Sequence, residues 1–265
     1  MTIKRHIPNL ITILNLCAGI MAILFTMNGK LYLAGWMVLL AAFFDLFDGL
    51  AARAFNVQSP VGADLDSLAD AISFGLAPAM IIYKMMWLND LKDLMAYLPT
   101  ELYDRPIGWE MFWFPLIAFW IVIAGISRLA MFNNDKRQST SFIGLPIPAS
   151  GLFFAFLPIV LKDAIGLSPD SVFWRGIVGL LSNNLFLAVA VIVIAAMMLA
   201  PLPMFSLKLK GGGIKNYIPQ IGFLVLAVIL YFTVGNLTVP LLIVLYILYS
   251  LINQIFNKNE LQSTH

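Results

Sequence analysis

Apolar residues in this chain come in unbroken blocks of about twenty, the length of helix that crosses the hydrocarbon core of a bilayer. Such blocks predict spans at roughly 8–28, 31–54, 66–89, 110–133, 146–163, 184–204, 216–235 and 237–257. The shorter stretch from Asp170 to Leu181 carries Trp174 and Arg175 and reads as interfacial rather than spanning. The pattern therefore predicts an all-α polytopic membrane protein with about eight transmembrane helices.

Composition agrees: 61% of the 265 residues are hydrophobic and only 11% are charged, with a mean hydropathy of +0.90. Those values exclude an ordinary soluble domain. The opening "MTIKRHIPNLITILNLCAGIMAILF" lacks a small-residue cleavage site and is expected to remain as the first helix. With the amino terminus inside, Lys4, Arg5, Arg53, Lys136, Arg137, Lys208, Lys210, Lys215 and Lys258 fall on the cytoplasmic side. The opposite loops mix fewer basic residues with acids, so the positive-inside rule favours this orientation, in the cell (inner) membrane. A single cysteine, Cys17, excludes an internal disulfide. A net charge of +2 without a basic–aromatic run offers nothing to nucleic acid.

Against this background residues 43–75, "FFDLFDGLAARAFNVQSPVGADLDSLADAISFG", stand out, with five aspartates and one arginine between two apolar spans. On a helix, residues i, i+3, i+4 and i+7 share a face. Asp45, Asp48, Gly49 and Ala52 thus form one stripe, and Gly62, Asp66 and Asp70 form a second on the next helix. Asp64 points elsewhere, about 200° from Asp66. The short connection makes the two helices antiparallel neighbours, so four carboxylates can converge. Their mutual repulsion calls for divalent cations, and an all-oxygen ligand set suits Mg²⁺ or Mn²⁺. Paired ions of this kind serve phosphoryl chemistry. Isolated acids at helix ends usually just meet water, and intramembrane carboxylates also line ion pathways. A divalent-cation transporter is therefore a rival reading, but it predicts acids spread through the membrane depth, whereas these cluster at one end.

The run Asp45-x-x-Asp48-Gly49-x-x-Ala52-Arg53, eight residues, then Gly62-x-x-x-Asp66-x-x-x-Asp70 resembles the signature of the CDP-alcohol phosphatidyltransferases at every defined position. The resemblance implies a core of about six helices, a CDP-linked lipid donor, release of CMP and two divalent ions (Mg²⁺ or Mn²⁺). It implies Asp45, Asp48 and Asp66 around one ion, Asp45, Asp66 and Asp70 around the other, and Asp70 as general base. We treat 1–265 as a single integral membrane domain, with a catalytic core over 1–165 and additional C-terminal helices over 166–265. Asn9, Thr12 and Asn15, at three-residue spacing on the first helix, resemble the polar stripe that contacts the cytidine, although helix capping and helix–helix bonding explain such residues equally well. Gly49, Ala52 and Gly62 allow the nucleotide to approach closely. Arg53 offers a planar fork to a phosphate, or serves as an interfacial anchor. The resemblance also implies a homodimer.

The acceptor must be read elsewhere. Three segments, "SFGLAP" after Asp70, "ISRLAMFNND" and "GLPIPASG", resemble those of the bacterial and archaeal phosphatidylserine synthases, with Met131 where a second Arg is common. This implies L-serine as acceptor and CDP-diacylglycerol as donor. Arg128, Lys136 and Arg137 are the candidate partners for a serine carboxylate or lipid phosphate, and Ser73 is a candidate neutral contact. Glycerol phosphate, inositol phosphate or choline are alternative acceptors within the family. The phosphorylated ones ask for a larger basic cluster than these residues supply.

Overall fold

The computed structural model describes residues 2–55, 57, 59–97, 113–134, 142–167, 171–204 and 218–263. Within them the chain is almost wholly helical. Helix α1 (Thr2–Met27) turns at Gly29, whose φ of 71° suits glycine, into α2 (Leu31–Ala54). Helix α3 (Pro60–Asp70) continues through one wide π turn (Ala71–Leu76) into α4 (Ala77–Tyr97). A 3₁₀ segment (Phe114–Phe119) leads into α5 (Trp120–Asn134), followed by α6 (Ile147–Leu167), α7 (Val172–Leu181) and α8 (Asn184–Leu199). Helix α9 (Ile218–Val234) and α10 (Thr238–Ser263) are joined by a short 3₁₀ turn. Two-residue strands β1 (Phe142–Ile143) and β2 (Pro203–Met204) pair antiparallel between the start of α6 and the end of α8.

Local chemistry explains the breaks that matter. Ser59 caps α3, accepting from Gly62 N at 3.1 Å, and Pro60 occupies the first turn, where no N–H is needed. The π turn falls where Pro78 would otherwise press its ring on the carbonyl of Phe74, four residues back. Small residues bring the helices close, as expected where lipid offers no hydrophobic drive. Ala34, Val38 and Ala41 form a buried stripe on α2, and Gly35 lies directly against the Ala155 carbonyl and the Ile159 side chain of α6. Phe74, Ile81, Ile82, Met86, Ile121 and Phe154 fill the bundle's centre, while Leu10, Leu24, Phe43, Leu46 and Ile123 face outward, as lipid-facing residues do.

Among the described residues, six helical runs are long and apolar enough to cross a membrane, and α7 with α8, bent by 72°, make a seventh if the pair is one span. The sequence predicted about eight. The difference lies at the carboxyl end, where the expected spans 216–235 and 237–257 form one continuous helical run, Ile221–Asn253. That run nevertheless folds back at Gly235 (φ 58°), because the rings of Phe223 and Tyr249 sit 5.8 Å apart. On a straight helix they would be about 39 Å apart. The bend between α7 and α8 is held by amides: Asn89 donates to Asn184 Oδ1 (3.0 Å), and Asn184 donates to the Met86 carbonyl (3.0 Å). Asn183 caps α8 through the N–H groups of Leu185 and Phe186. The interfacial stretch expected from Asp170 corresponds to α7; Asp170 itself lies outside the described residues.

Candidate active site

The carboxyl end of α2 and helix α3 meet against the amino-terminal half of α1. One carboxylate oxygen each from Asp45, Asp48 and Asp66 lie within 4.8 Å of one another. Asp48 and Asp70 are buried, at 5% and 8% exposure. Asp70 completes the group: it is within hydrogen-bond reach of Asp45, and its Oδ1 accepts from the Asn15 amide at 3.3 Å. Like charges this close need a cation or a proton between them. Asp48 Oδ2 and Asp66 Oδ1 are buried with no hydrogen-bond partner among the described residues. Buried polar atoms are normally satisfied, so two orphaned oxygens within a carboxylate cluster fit a hard divalent cation. Asp64 is exposed and stands outside the group.

Beside the carboxylates lies a cavity of about 200 Å³. Asn9, Thr12, Asp48, Gly49, Ala52, Gly62 and Asp66 line it, so five of the seven predicted donor-binding residues share one wall system. Glycine keeps the cavity open at Gly62: a Cβ there would stand 3.1 Å from both Asn9 Oδ1 and Ser59 Oγ, so those side chains would have to shift by a few tenths of an ångström. Gly49 instead leaves open space: among the described residues the only atom near its missing Cβ is Arg53 Nη2, at 3.9 Å. Arg53 is exposed at the rim, with Nε donating to the Gly49 carbonyl at 2.9 Å, which keeps the guanidinium beside the cavity. Thr12 reaches Asp48 and also donates to the Pro8 carbonyl at 3.1 Å. Pro8, Val57, Ser59 and Ala63 complete the lining without having been singled out in sequence. Ser59 and Ala63 had a readable signal, since they extend the Asp66–Asp70 stripe backward at four- and three-residue steps.

Two predicted residues take places of a different kind. Asn15 is not a wall of the cavity: its amide holds Asp70, and its carbonyl accepts from Ser73 Oγ at 3.1 Å. Asn15 therefore grips both ends of the turn 70–73. Ser73 is fully buried in that contact. Arg128, 6% exposed, donates from Nη2 to the Gly144 carbonyl at 3.1 Å and lies 5.9 Å from the Phe132 ring. It thereby secures a turn in which Gly144 has φ 77° and a Cβ would collide with the Met198 carbonyl. One turn beyond Arg128, Asn133 donates to Ser67 Oγ at 3.0 Å, tying α5 to the acidic helix. Lys136 and Arg137 lie outside the described residues.

The family model described as CDP-alcohol phosphatidyltransferase matches residues 5–202. The chain belongs to the CDP-alcohol phosphatidyltransferase family. The family region thus runs through α8, and α9 and α10 lie beyond it. Among curated proteins, the chain is 36% identical over 168 residues to a CDP-diacylglycerol–serine O-phosphatidyltransferase of Bacillus subtilis, covering 61% of this chain and 82% of that protein. It is 34% identical over 147 residues to the enzyme of the same name from Helicobacter pylori (55% and 54% covered). It is likewise 34% identical over 149 residues to an archaetidylserine synthase of Methanothermobacter thermautotrophicus (55% and 54%). The chain spans about half the length of these last two relatives.

Proposed function

We propose that this protein transfers the phosphatidyl group of CDP-diacylglycerol to L-serine, giving phosphatidylserine and CMP. The observation that carries this reading is the cluster of Asp45, Asp48, Asp66 and Asp70 beside an open small-residue cavity, in a chain whose similar proteins are named for serine. A bacterial and an archaeal relative, named for different lipids, have that acceptor in common.

Asn9, Thr12, Gly49, Ala52 and Gly62 receive the nucleotide end of the donor, and Arg53 at the rim takes a phosphate oxygen. Asp45, Asp48 and Asp66 would hold one Mg²⁺ or Mn²⁺, and Asp45, Asp66 and Asp70 a second. When bound, the ions offset the charge of the donor diphosphate and of the phosphoryl oxygens. Asn15 orients Asp70, which takes the proton of the serine hydroxyl. The serine oxygen then forms its bond to the phosphorus that carries diacylglycerol as the bond to CMP breaks. Fixing both reactants in line is worth many orders of magnitude in such transfers. Arg128, Lys136 and Arg137 provide the positive charge for the serine carboxylate, with Ser73 acting from behind through the turn it shares with Asp70. The cluster lies at the cytoplasmic face of the cell membrane, in a homodimer.

The test is CMP release by purified protein given CDP-diacylglycerol and L-serine, glycerol 3-phosphate, inositol phosphate or choline. L-serine should exceed the others at least tenfold. Preference for glycerol 3-phosphate would overturn the acceptor while leaving the family intact.

A further inference from the structure

The opposite end of the bundle carries a second concave site. Helix α2 starts about 26 Å from Asp48, by its 17 intervening residue steps, and there the α1–α2 turn and the end of α6 enclose a cavity of about 590 Å³. Leu31, Leu161 and Ile165 give it apolar walls, and Lys30, Tyr32 and Lys162 stand around it. The ammonium of Lys162 sits 3.5 Å from the centroid of the Tyr32 ring. Both lysines are exposed, and among the described residues no acidic side chain lines the cavity. The neighbouring Asp163 is engaged elsewhere, accepting from the Asn236 amide at 2.7 Å.

We propose that this groove binds an anionic phospholipid of the leaflet opposite the carboxylate cluster, with its phosphate between Lys30 and Lys162 and an acyl chain along Leu31, Leu161 and Ile165. The charge pattern selects the occupant: two cations over an apolar floor match a lipid that carries an anion on a hydrocarbon tail. A lysine that merely snorkels would extend to water, whereas Lys162 is folded over a ring that lines the groove. This site makes no demand on the acceptor reading, because none of its residues touches the catalytic end.

The test is native mass spectrometry of the full-length protein with phosphatidylglycerol or phosphatidylcholine of identical acyl chains. Phosphatidylglycerol should be retained preferentially. Attraction of each lysine to an anionic surface corresponds to about fivefold in affinity, so Lys30→Ala and Lys162→Ala should each weaken retention about fivefold and the double variant about thirtyfold. Phosphatidylcholine retention should not change, and unaltered CMP release would show that the variants are folded. Equal retention of the two lipids, or an undiminished preference in the double variant, would overturn the proposal. Displacement of phosphatidylglycerol by millimolar inorganic phosphate would also overturn it, as the mark of a simple anion site.

Discussion

Gly19→Ala is the substitution that best probes how the fold places the chemistry. Gly19 lies one turn beyond Asn15 on α1, where a Cβ would collide with Ser73 Oγ and stand 2.8 Å from Ser73 Cα and 3.0 Å from its Cβ. Ordinary contact begins at 3.4 Å, so the backbone at Ser73 must retreat by about 0.6 Å. Overpacking of this kind costs roughly 1–3 kcal/mol. Ser73 lies three residues after Asp70, and Asn15 ties both to α1, so the retreat carries the proposed base out of line. A misplacement near 1 Å costs about a hundredfold in rate, and a loss of ten- to a hundredfold in CMP release is expected here. Ser73→Ala should not rescue it, since the clash with the Ser73 Cα remains. Gly166→Ala, with no atom of the described residues within 4 Å of the new methyl, serves as control and should be neutral or slightly stabilising. CMP release and the midpoint of thermal inactivation read both effects. A Gly19→Ala protein within twofold of the parent in rate and unshifted in midpoint would refute the reasoning.

Chelation with EDTA should abolish CMP release, and Mg²⁺ or Mn²⁺ should restore it; calorimetric titration with Mn²⁺ should show binding that Asp66→Asn loses, while full turnover in chelator would exclude ions held by the cluster. Asp66→Asn should lower the rate by at least a hundredfold, whereas exposed Asp64→Asn should stay within twofold, and equal damage from the two would contradict the orientation of α3. Arg128→Ala should leave the buried Gly144 carbonyl without its charged donor at a cost of about 1–3 kcal/mol, lowering the thermal midpoint as well as raising the serine requirement. Arg128→Lys should recover part of the midpoint, and a serine effect with no loss of stability would show that the Gly144 contact is dispensable.

Much of this architecture is local and therefore legible in sequence. The spacing of Asp45 with Asp48, and of Asp66 with Asp70, is a property of one helix, and the Ser59-Pro60 start of α3 is a cap that four residues specify. Ser73, by contrast, lies one turn past Asp70, and only the approach of α1, allowed by Gly19, decides that its hydroxyl is spent on the Asn15 carbonyl. Arg128 depends on a contact sixteen residues away, created because Gly144 adopts a positive φ that turns its carbonyl toward α5. The carboxyl-terminal run reads as two segments by hydropathy, and the structure breaks it at the Gly235 turn between α9 and α10. The predicted boundary at 235–237 is where the chain turns, but which rings meet across the turn, Phe223 against Tyr249, is a non-local contact.

The burial of the acidic group sets its own requirement on the rest of the bundle. Each carboxylate withdrawn from water costs several kcal/mol, and Asp48 and Asp70 are among the most buried polar residues described. Their surroundings offset this only in part: Asn15 supplies one long hydrogen bond to Asp70 and Thr12 reaches Asp48, but Asp48 Oδ2 has no protein partner among the described residues. The compensation lies a turn or more away, in the buried stripe of Ala34, Val38 and Ala41 on α2, in Gly35 against α6 and in Gly151 against Phe74. Those contacts hold α2 and the π turn rigidly at the depth where the aspartates must sit. Around the carboxylate cluster, Asn15 Oδ1, Asp48 Oδ2 and Asp66 Oδ1 are thus buried without a hydrogen-bond partner among the described residues, on helices whose close packing holds them in place. A ligand that balances the cluster's charge should therefore add stability as well as activity.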